Sequence, residues 1–152
     1  MTVLLKRASV TDCKEYHDMQ VESFRFLQQK YHDISGPGAE TLERTMQKMG
    51  DPASDMYFIC LSGIHIGGLR IFRSESVCRL KQIFVLPEYQ EHGYAQEAIK
   101  IAESLYPNAH RWELDTIMQE EKLRHIYEKM GYRKIGKTQS IKKDMDLIYY
   151  SK

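Results

Sequence analysis

Features that mark specialised protein classes are scarce in this chain. It has only three cysteines, Cys13, Cys60 and Cys78, an odd and widely spaced set. We therefore expect reduced thiols and a cytoplasmic location, not a disulfide framework. No apolar run approaches the roughly 20 residues that span a bilayer, and the apolar run near the N-terminus is too short for a secretory signal. The sequence thus predicts no membrane partner.

An excess of one charge sign is also absent. The chain has 22 Lys+Arg against 21 Asp+Glu, a formal net charge of +1. Because proteins that bind nucleic acids through bulk charge are strongly basic, we expect no nucleic-acid partner. Hydrophobic residues make up 42% of the 152 residues, enough for a sizeable core. The length predicts a single domain over residues 1–152.

Metal-ligand spacing is missing as well. The six histidines lie 15 or more residues apart, and no C-x-x-C occurs, whereas metal sites on one helix typically use i, i+4 pairs. The sequence also lacks G-x-x-x-x-G-K-[ST] and G-x-S-x-G, which are typical of NTPases and serine hydrolases. We therefore expect no metal cofactor and no metal-binding residues.

The hydrophobic periodicity predicts an α+β (mixed α/β) fold in the order β-α-α-β-β-β-α-β-α-β-β, with a βαβ crossover around the fourth and fifth strands. Gly67 and Gly68 indicate a weakened strand or a bulge. The predicted strands cover residues 3–8, 56–61, 64–73, 77–86, 111–117, 132–137 and 146–150, and the predicted helices cover 12–35, 39–49, 95–106 and 123–130.

Residues 90–95 (QEHGYA) are the most informative segment, because they lead from a strand into a helix. Gly93 and Ala95 leave the first backbone N–H groups of that helix uncrowded. Such a helix end attracts phosphate through its free donors and the positive end of its dipole. By itself, a lone G-x-A is more often an ordinary strand-to-helix turn.

The segment and its context resemble the GNAT acetyltransferase superfamily. Residues 90–95 match its acetyl-CoA motif [RQ]-x-x-G-x-[GA], and residues 127–132 (YEKMGY) match its Y-x-K-x-G-[FY] run. The two motifs occur in the family's order, separated by one strand. The resemblance covers nearly the whole chain. It implies a GNAT-like fold: a mixed, mostly antiparallel sheet of about seven strands, about four helices and a βαβ unit that binds acetyl-CoA.

The resemblance implies an N-acetyltransferase in which a primary amine, on a small molecule or a peptide, attacks acetyl-CoA directly in a ternary complex. No cysteine is then needed as a nucleophile. Tyr127 corresponds to the tyrosine that protonates the leaving thiolate, although its helical position also suits a core residue. The coenzyme would be bound by backbone groups of Ile83, Phe84 and Val85, and by the phosphate-binding residues Gln90, Glu91, His92, Gly93, Tyr94 and Ala95.

Two positions depart from the family pattern. His92 stands where the family often has Arg or Lys, and Glu120 where it often has Asn, seven residues before Tyr127. We expect both changes to weaken coenzyme binding without abolishing it. They also keep an alternative open, a non-catalytic acyl-CoA-binding sensor or interaction module on the same fold.

The general base is predicted only as a choice between two interpretations. Glu113 and Asp115 lie two apart on the fifth strand, so their side chains share a face. Either they border a wet cleft where the fourth and fifth strands diverge, or they are solvated or paired with Arg111 or Arg133. The sequence does not separate these interpretations.

The acceptor side is predicted from charge. Residues 11–60 contain nine acidic and five basic residues, a net charge of −4, which leaves +5 for the remainder. An acidic acceptor side would attract a cationic amine. A homodimer formed through a strand edge is also compatible with the sequence. Residues 147–150 (LIYY) are apolar enough to take part, although core packing is the simpler interpretation.

Overall fold

A seven-stranded sheet organises residues 2–152, the part of the chain that the computed structural model describes. Its strands are β1 (Val3–Arg7), β2 (Ser54–Leu61), β3 (Ile64–Ser74), β4 (Val77–Val85), β5 (Arg111–Ile117), β6 (Arg133–Lys142) and β7 (Met145–Ser151). The spatial order is β1-β2-β3-β4-β5-β7-β6. Only β4 and β5 pair in parallel, so the predicted mixed, mostly antiparallel sheet of about seven strands is confirmed.

Helices cover both faces of this sheet. Tyr16 and Met19 of the first helix pack with Phe58 and Phe84 in one core cluster. Ala98 and Tyr127, on the last two helices, belong to a larger cluster on the opposite face. No helix within residues 2–152 is long and apolar enough to cross a membrane. The helices are α1 (Cys13–Ser23), α2 (Arg25–Tyr31), α3 (Leu42–Met49), α4 (Tyr94–Ser104) and α5 (Glu121–Lys129).

The prediction of one helix over residues 12–35 is wrong, and five α-helices replace the four expected. The helix breaks at Phe24, whose backbone leaves helical geometry (φ −97°, ψ 6°) while its ring packs edge-on against Phe84, 6.0 Å between centroids. The second segment ends before His32, which is left-handed (φ 55°). The spacing of apolar residues identifies the buried side of a helix. A break at a single aromatic residue does not change that spacing, so the sequence pattern does not reveal it.

The next helix starts three residues later than predicted. Residues 37–39 form a 3₁₀ turn, and α3 begins after Thr41, whose hydroxyl accepts a hydrogen bond from the Arg44 N–H at 3.2 Å. A threonine side chain that satisfies a free N–H group is a strong helix start. The cap, and not the first residue after the Gly-Pro-Gly turn, therefore sets the boundary.

The C-terminal strand lies inside the sheet. β7 is flanked by β5 and β6, and its Ile148 and Tyr150 are buried. Alternate residues of the segment 147–150 therefore pack in the core, and the segment does not form a sheet edge. The edge strand at this end of the sheet is β6, which is longer than predicted and exposed along most of its length.

The strands that separate in the middle of the sheet create the site. β4 pairs with β5 only as far as Leu80, opposite Leu114. A register shift against β3 leaves Lys81 without a partner, and β4 diverges from β5 after this bulge. A second shift, between β2 and β3, lies beside Gly67, where the sequence indicates a bulge. There a Cβ atom would lie only 2.1 Å from the Phe84 carbonyl oxygen, so glycine permits the close approach of β3 to β4.

Candidate active site

A cleft of about 1600 Å³ opens between the diverging strands. Its walls are the last residues of β4, the end of β5, the starts of α4 and α5, and the segment that joins α1, α2 and α3. The divergence explains its position: once β4 and β5 stop pairing, their facing backbone groups have no strand between them.

Residues 90–95, called the phosphate loop after the role that the sequence predicts for them, border this cleft at the start of α4. Gly93 has φ 80° and supplies no capping side chain, and the first helical bond runs from the Glu97 N–H to the Gly93 carbonyl at 3.1 Å. The preceding N–H groups, of residues 94–96, lack helical partners, as at any helix start. A Cβ on Gly93 would meet nothing within 4 Å, so no other part of the protein crowds the helix start at this residue.

All residues of the phosphate loop except His92 lie at the cleft. Gln90 folds back and donates from Nε2 to the Val85 carbonyl at 2.8 Å, which fixes the loop on the end of β4. His92 is exposed, does not line the cleft, and stacks on Tyr94 with 5.6 Å between centroids. Of the six predicted coenzyme-binding residues in the loop, the other five line the cleft.

The strand residues predicted to contact the coenzyme also border the cleft. Phe84 turns its ring away, into a cluster with Tyr16 at 5.2 Å between centroids, while Ile83 and Val85 pack in the core on the opposite face. Their side chains are thus used for packing. The backbone edge of β4 that faces β5 is free of strand partners here, as an added-strand contact requires.

Tyr127 lies both in the core and at the cleft, so its position is compatible with either of the roles predicted for it. It is 9% exposed and belongs to the larger core cluster, yet it lines the cleft. Burial, and then the negative charge of Asp115, raises the pKa of its phenol above the ordinary value. Such a phenol keeps its proton at neutral pH and is therefore a donor.

The two carboxylates predicted as candidate bases differ in their position relative to the cleft. Glu113 bonds to Arg111 at 2.7 Å, lies 3.6 Å from Arg79, and does not line the cleft. This is the ion pairing that one of the two interpretations expects. Asp115 is paired with Arg79 but does line the cleft, as the other interpretation expects. Asp115 follows Leu114, the last residue of β5 that pairs with β4, and therefore lies where the two strands have separated.

Glu120 has a different role from a coenzyme contact. Its carboxylate accepts hydrogen bonds from Lys30, at 2.7 Å, and from the Tyr31 hydroxyl. Although burial opposes ionisation, these bonds hold the pKa of Glu120 below its ordinary value. The residue therefore ties α2 to the start of α5 across the cleft.

Three polar residues on β3 and β4 belong to the cleft although the sequence did not indicate them as site residues. Arg70, Lys81 and Gln82 line it from β3 and β4. A detectable signal exists for Arg70 alone: it is a charge within the otherwise apolar run of β3, IGGLRIF. Lys81 and Gln82 gain their positions from the bulge, which leaves no pattern in the sequence.

The cysteines lie away from this chemistry. Cys13, Cys60 and Cys78 are free, buried and absent from the cleft lining. Burial raises the pKa of each thiol, which opposes formation of a nucleophilic thiolate. Across residues 2–152, no group of three or more His, Cys, Asp or Glu side chains is arranged to hold a metal ion.

Solved structures share this fold. Ribosomal-protein-S18-alanine N-acetyltransferase from Escherichia coli superimposes with TM-score 0.81 at 12% identity, covering 99% of this chain and 92% of that one. Spermidine N-acetyltransferase from Vibrio cholerae, in complex with CoA and spermine, gives 0.78 at 19% identity, with 99% and 95% covered. PaiA N-acetyltransferase from Thermoplasma acidophilum, in complex with coenzyme A, gives 0.74 at 12% identity, with 98% of each covered.

At these identities the likeness shows the fold, and a search of curated proteins finds no match to the sequence. The family comparison goes further. The model of the acetyltransferase (GNAT) domain matches residues 13–150, which include the phosphate loop, the diverging strands and Tyr127. The chain therefore belongs to the GNAT family of acetyltransferases.

Proposed function

We propose that the protein transfers the acetyl group of acetyl-CoA to a primary amine of a small molecule or peptide, by direct attack in a ternary complex. One observation carries the proposal: an uncapped helix start at Gly93 and the hydroxyl-bearing Tyr127 border the same cleft between diverging strands. A phosphate-binding end and a proton donor in one cleft suit acyl transfer from a coenzyme A thioester.

The coenzyme is a substrate whose parts match the donors available. Its pyrophosphate suits the free N–H groups at the start of α4, with the glycine at 93 allowing close approach. Its pantetheine arm suits the edge of β4 at residues 83–85, which has no strand partner on the side of β5. Glu91 carries negative charge toward the cleft, but it is exposed and lies 3.4 Å from Lys122, so its repulsion is reduced.

The transfer requires two proton movements. The amine nitrogen attacks the thioester carbonyl carbon, the C–S bond breaks, the nitrogen loses a proton and the sulfur gains one. Tyr127 is proposed as the donor to sulfur, because its raised pKa keeps the phenol protonated. Of the two carboxylates, Asp115 is the better placed to receive the amine proton, because it lines the cleft.

An acyl-CoA-binding sensor remains the second candidate. The orientation of two residues favours it: His92 stacks on Tyr94 outside the cleft lining, and Glu120 is engaged by Lys30 and Tyr31. Neither side chain is then directed to the coenzyme.

A cytoplasmic location is also proposed. It is supported by the three free, buried cysteines, because reducing compartments keep thiols in this state.

Calorimetry with acetyl-CoA tests the binding half of the proposal. We expect Gly93→Trp to abolish binding, because the indole fills the space before the helix N–H groups. Gly63→Trp is a matched control, since Gly63 has the same φ of 80° and equally open surroundings but lies in the remote β2–β3 turn. Equal binding by the two variants would contradict the assigned coenzyme site.

Thiol release tests the transferase half. The acceptor panel includes a polyamine and a peptide with a free N-terminus, because solved neighbours are described as acting on such amines. We expect Tyr127→Phe to lower kcat by about 100-fold while acetyl-CoA binding persists. Binding without thiol release on any amine would favour the sensor, and an unchanged kcat in Tyr127→Phe would remove the tyrosine from the mechanism.

A further inference from the structure

The inner end of the cleft is less acidic than the charge of residues 11–60 predicts. Its lining includes the cations Arg70, Lys81 and Lys48 together with the carboxylates Glu40 and Asp115. The same three cations also line a smaller pocket of about 360 Å³ on the other side of this wall. We call the part of the cleft beside Arg70 and Gln82 the acceptor end.

Arg70 is a buried cation without adequate partners. The residue is 8% exposed, and its Nε has no hydrogen-bond partner among the described residues. Its hydrogen bond to the Ser54 hydroxyl is long, 3.4 Å. Burial lowers the pKa of its guanidinium, because the surroundings do not compensate the charge. A buried charge in this state is costly unless something pairs with it.

Gln82 supplies a second unpaired donor at the same place. It stands opposite Arg70 in the β3–β4 register, and opposite residues share a face with Cβ atoms about 5 Å apart. The Gln82 Nε2 is also buried without a partner among residues 2–152. Two adjacent donors that both lack an acceptor indicate that one acceptor group serves them together.

The protein's own anions are not available for this purpose. Glu40 is engaged by Lys48 and by the Thr45 hydroxyl, the latter at 2.6 Å, and Asp51 Oδ1 accepts the Ala53 N–H at 2.9 Å. Lys81 has no ion pair within residues 2–152. Desolvation, and then the charges of Arg79 and Arg70, lowers the pKa of its ammonium. Asp115, the other carboxylate of this lining, is paired with Arg79. The acceptor end therefore has donors and positive charge, and its carboxylates are already engaged by other cations of the protein.

We propose that the acceptor amine carries an anionic oxygen group, a carboxylate or a phosphate, that binds to Arg70 and Gln82 with Lys81 beside them. Guanidinium donors match both groups in a two-bond arrangement. The inference rests on the proposed acetyl transfer and narrows its substrate class to zwitterions such as amino acids or aminoalkyl phosphates.

Matched acceptors test the proposal in the wild-type protein. Thiol release is measured with glycine, β-alanine and 4-aminobutyrate, with the amide of each, and with aminoethyl phosphate. For the preferred chain length, we expect kcat/KM to be at least about 30-fold higher for an acid than for its amide, as expected for a buried charge pair. The phosphate compound shows which of the two anions is preferred. Equal rates for acids and amides would overturn the inference and leave acetyl transfer intact.

Variants then locate the effect. We expect Arg70→Gln to bring the acid-to-amide ratio close to one, mainly through KM of the acid, with acetyl-CoA binding by calorimetry unchanged. Arg44→Gln is the control, because it removes a nearby charge at an exposed residue that pairs only locally with Gln47. An equal fall in both variants would mean a long-range field and would contradict a contact at Arg70.

A binding measurement separates this inference from the proposed function. Thermal stabilisation by 4-aminobutyrate and its amide is compared in wild type and Arg70→Gln. If no amine is acetylated, selective stabilisation by the acid that depends on Arg70 still supports an anion site, whereas the transferase proposal fails. If acids and amides stabilise equally, the anion site is rejected whatever the turnover shows.

Discussion

Two clusters, each centred on a buried charged residue, lie on opposite faces of the sheet, and they differ in how completely that charge is paired. The Asp55 cluster consists of Asp55, Arg7, Arg73 and Tyr106. The Arg70 cluster consists of Arg70, Gln82 and Ser54. Because Ser54 and Asp55 are neighbours on β2, strand alternation sends them to opposite faces.

In the Asp55 cluster every acceptor site is used. Asp55 is 5% exposed and accepts hydrogen bonds from Arg7 at 2.8 Å, Arg73 at 2.8 Å and the Tyr106 hydroxyl at 2.6 Å. In the Arg70 cluster the Arg70 Nε and Gln82 Nε2 have no partners within residues 2–152. The contrast indicates that the first cluster is structural, whereas the second faces the cleft and is completed by a ligand.

The largest effect is expected from Asp55→Asn. The substitution removes the charge-assisted hydrogen bonds that the buried carboxylate accepts from Arg7, Arg73 and Tyr106, and it places an amide NH2 group opposite donors. We therefore expect a loss of about 3 kcal/mol in the free energy of unfolding. Denaturant unfolding measures it. Glu75→Gln, in an exposed turn, is the control and should change stability little. A loss below about 1 kcal/mol would mean that the Asp55 cluster is no more important than a surface ion pair.

The pH dependence of that difference is the second prediction. Although burial opposes ionisation, hydrogen bonds from Arg73 and Tyr106 and the charge of Arg7 hold the pKa of Asp55 below its ordinary value. A lowered folded-state pKa adds stability above the unfolded-state pKa, near 4, and this stability is lost as the pH falls through the folded-state value. We expect wild type and Asp55→Asn to converge below pH 4 in unfolding experiments. A constant gap would assign the effect of the substitution to packing.

The smallest stability change is expected from Arg70→Met. A buried cation that lacks partners contributes little to folding, so an apolar side chain of similar length should keep stability within about 1 kcal/mol or raise it. Thermal unfolding in the absence of substrate measures this. A loss above about 2 kcal/mol would make the Arg70 cluster structural, like the Asp55 cluster, and would remove the contrast between them.

The elements around the phosphate loop were predictable because local rules govern them. A strand, a turn with glycine at a positive φ and an apolar helical face leave separate marks in the sequence, and α4 begins at Tyr94 as the position of Gly93 indicates. The break at Phe24 was not predictable, since it serves a contact with Phe84, 60 residues further along the chain.

The candidate base illustrates the same limit. Alternation along a strand predicts that Glu113 and Asp115 share a face, and both contact Arg79. It does not predict where β4 leaves β5. The unmatched residue Lys81 in β4 sets that point, and it places Asp115 in the cleft lining while Glu113 stays outside.

The sequence by itself determined the order of elements, the family motifs and the helix start that offers free N–H groups, because each depends on residues close together in the chain. Only the tertiary structure decided which polar groups are satisfied. Asp55 accepts hydrogen bonds from donors on β1, on β3 and after α4. Arg70 instead lies opposite Gln82 on the neighbouring strand, and the Nε of Arg70 and the Nε2 of Gln82 both lack an acceptor among residues 2–152. Hydrogen bonding and desolvation depend on groups that folding brings together, so the difference between a completed cluster and an open one cannot be found in either segment alone.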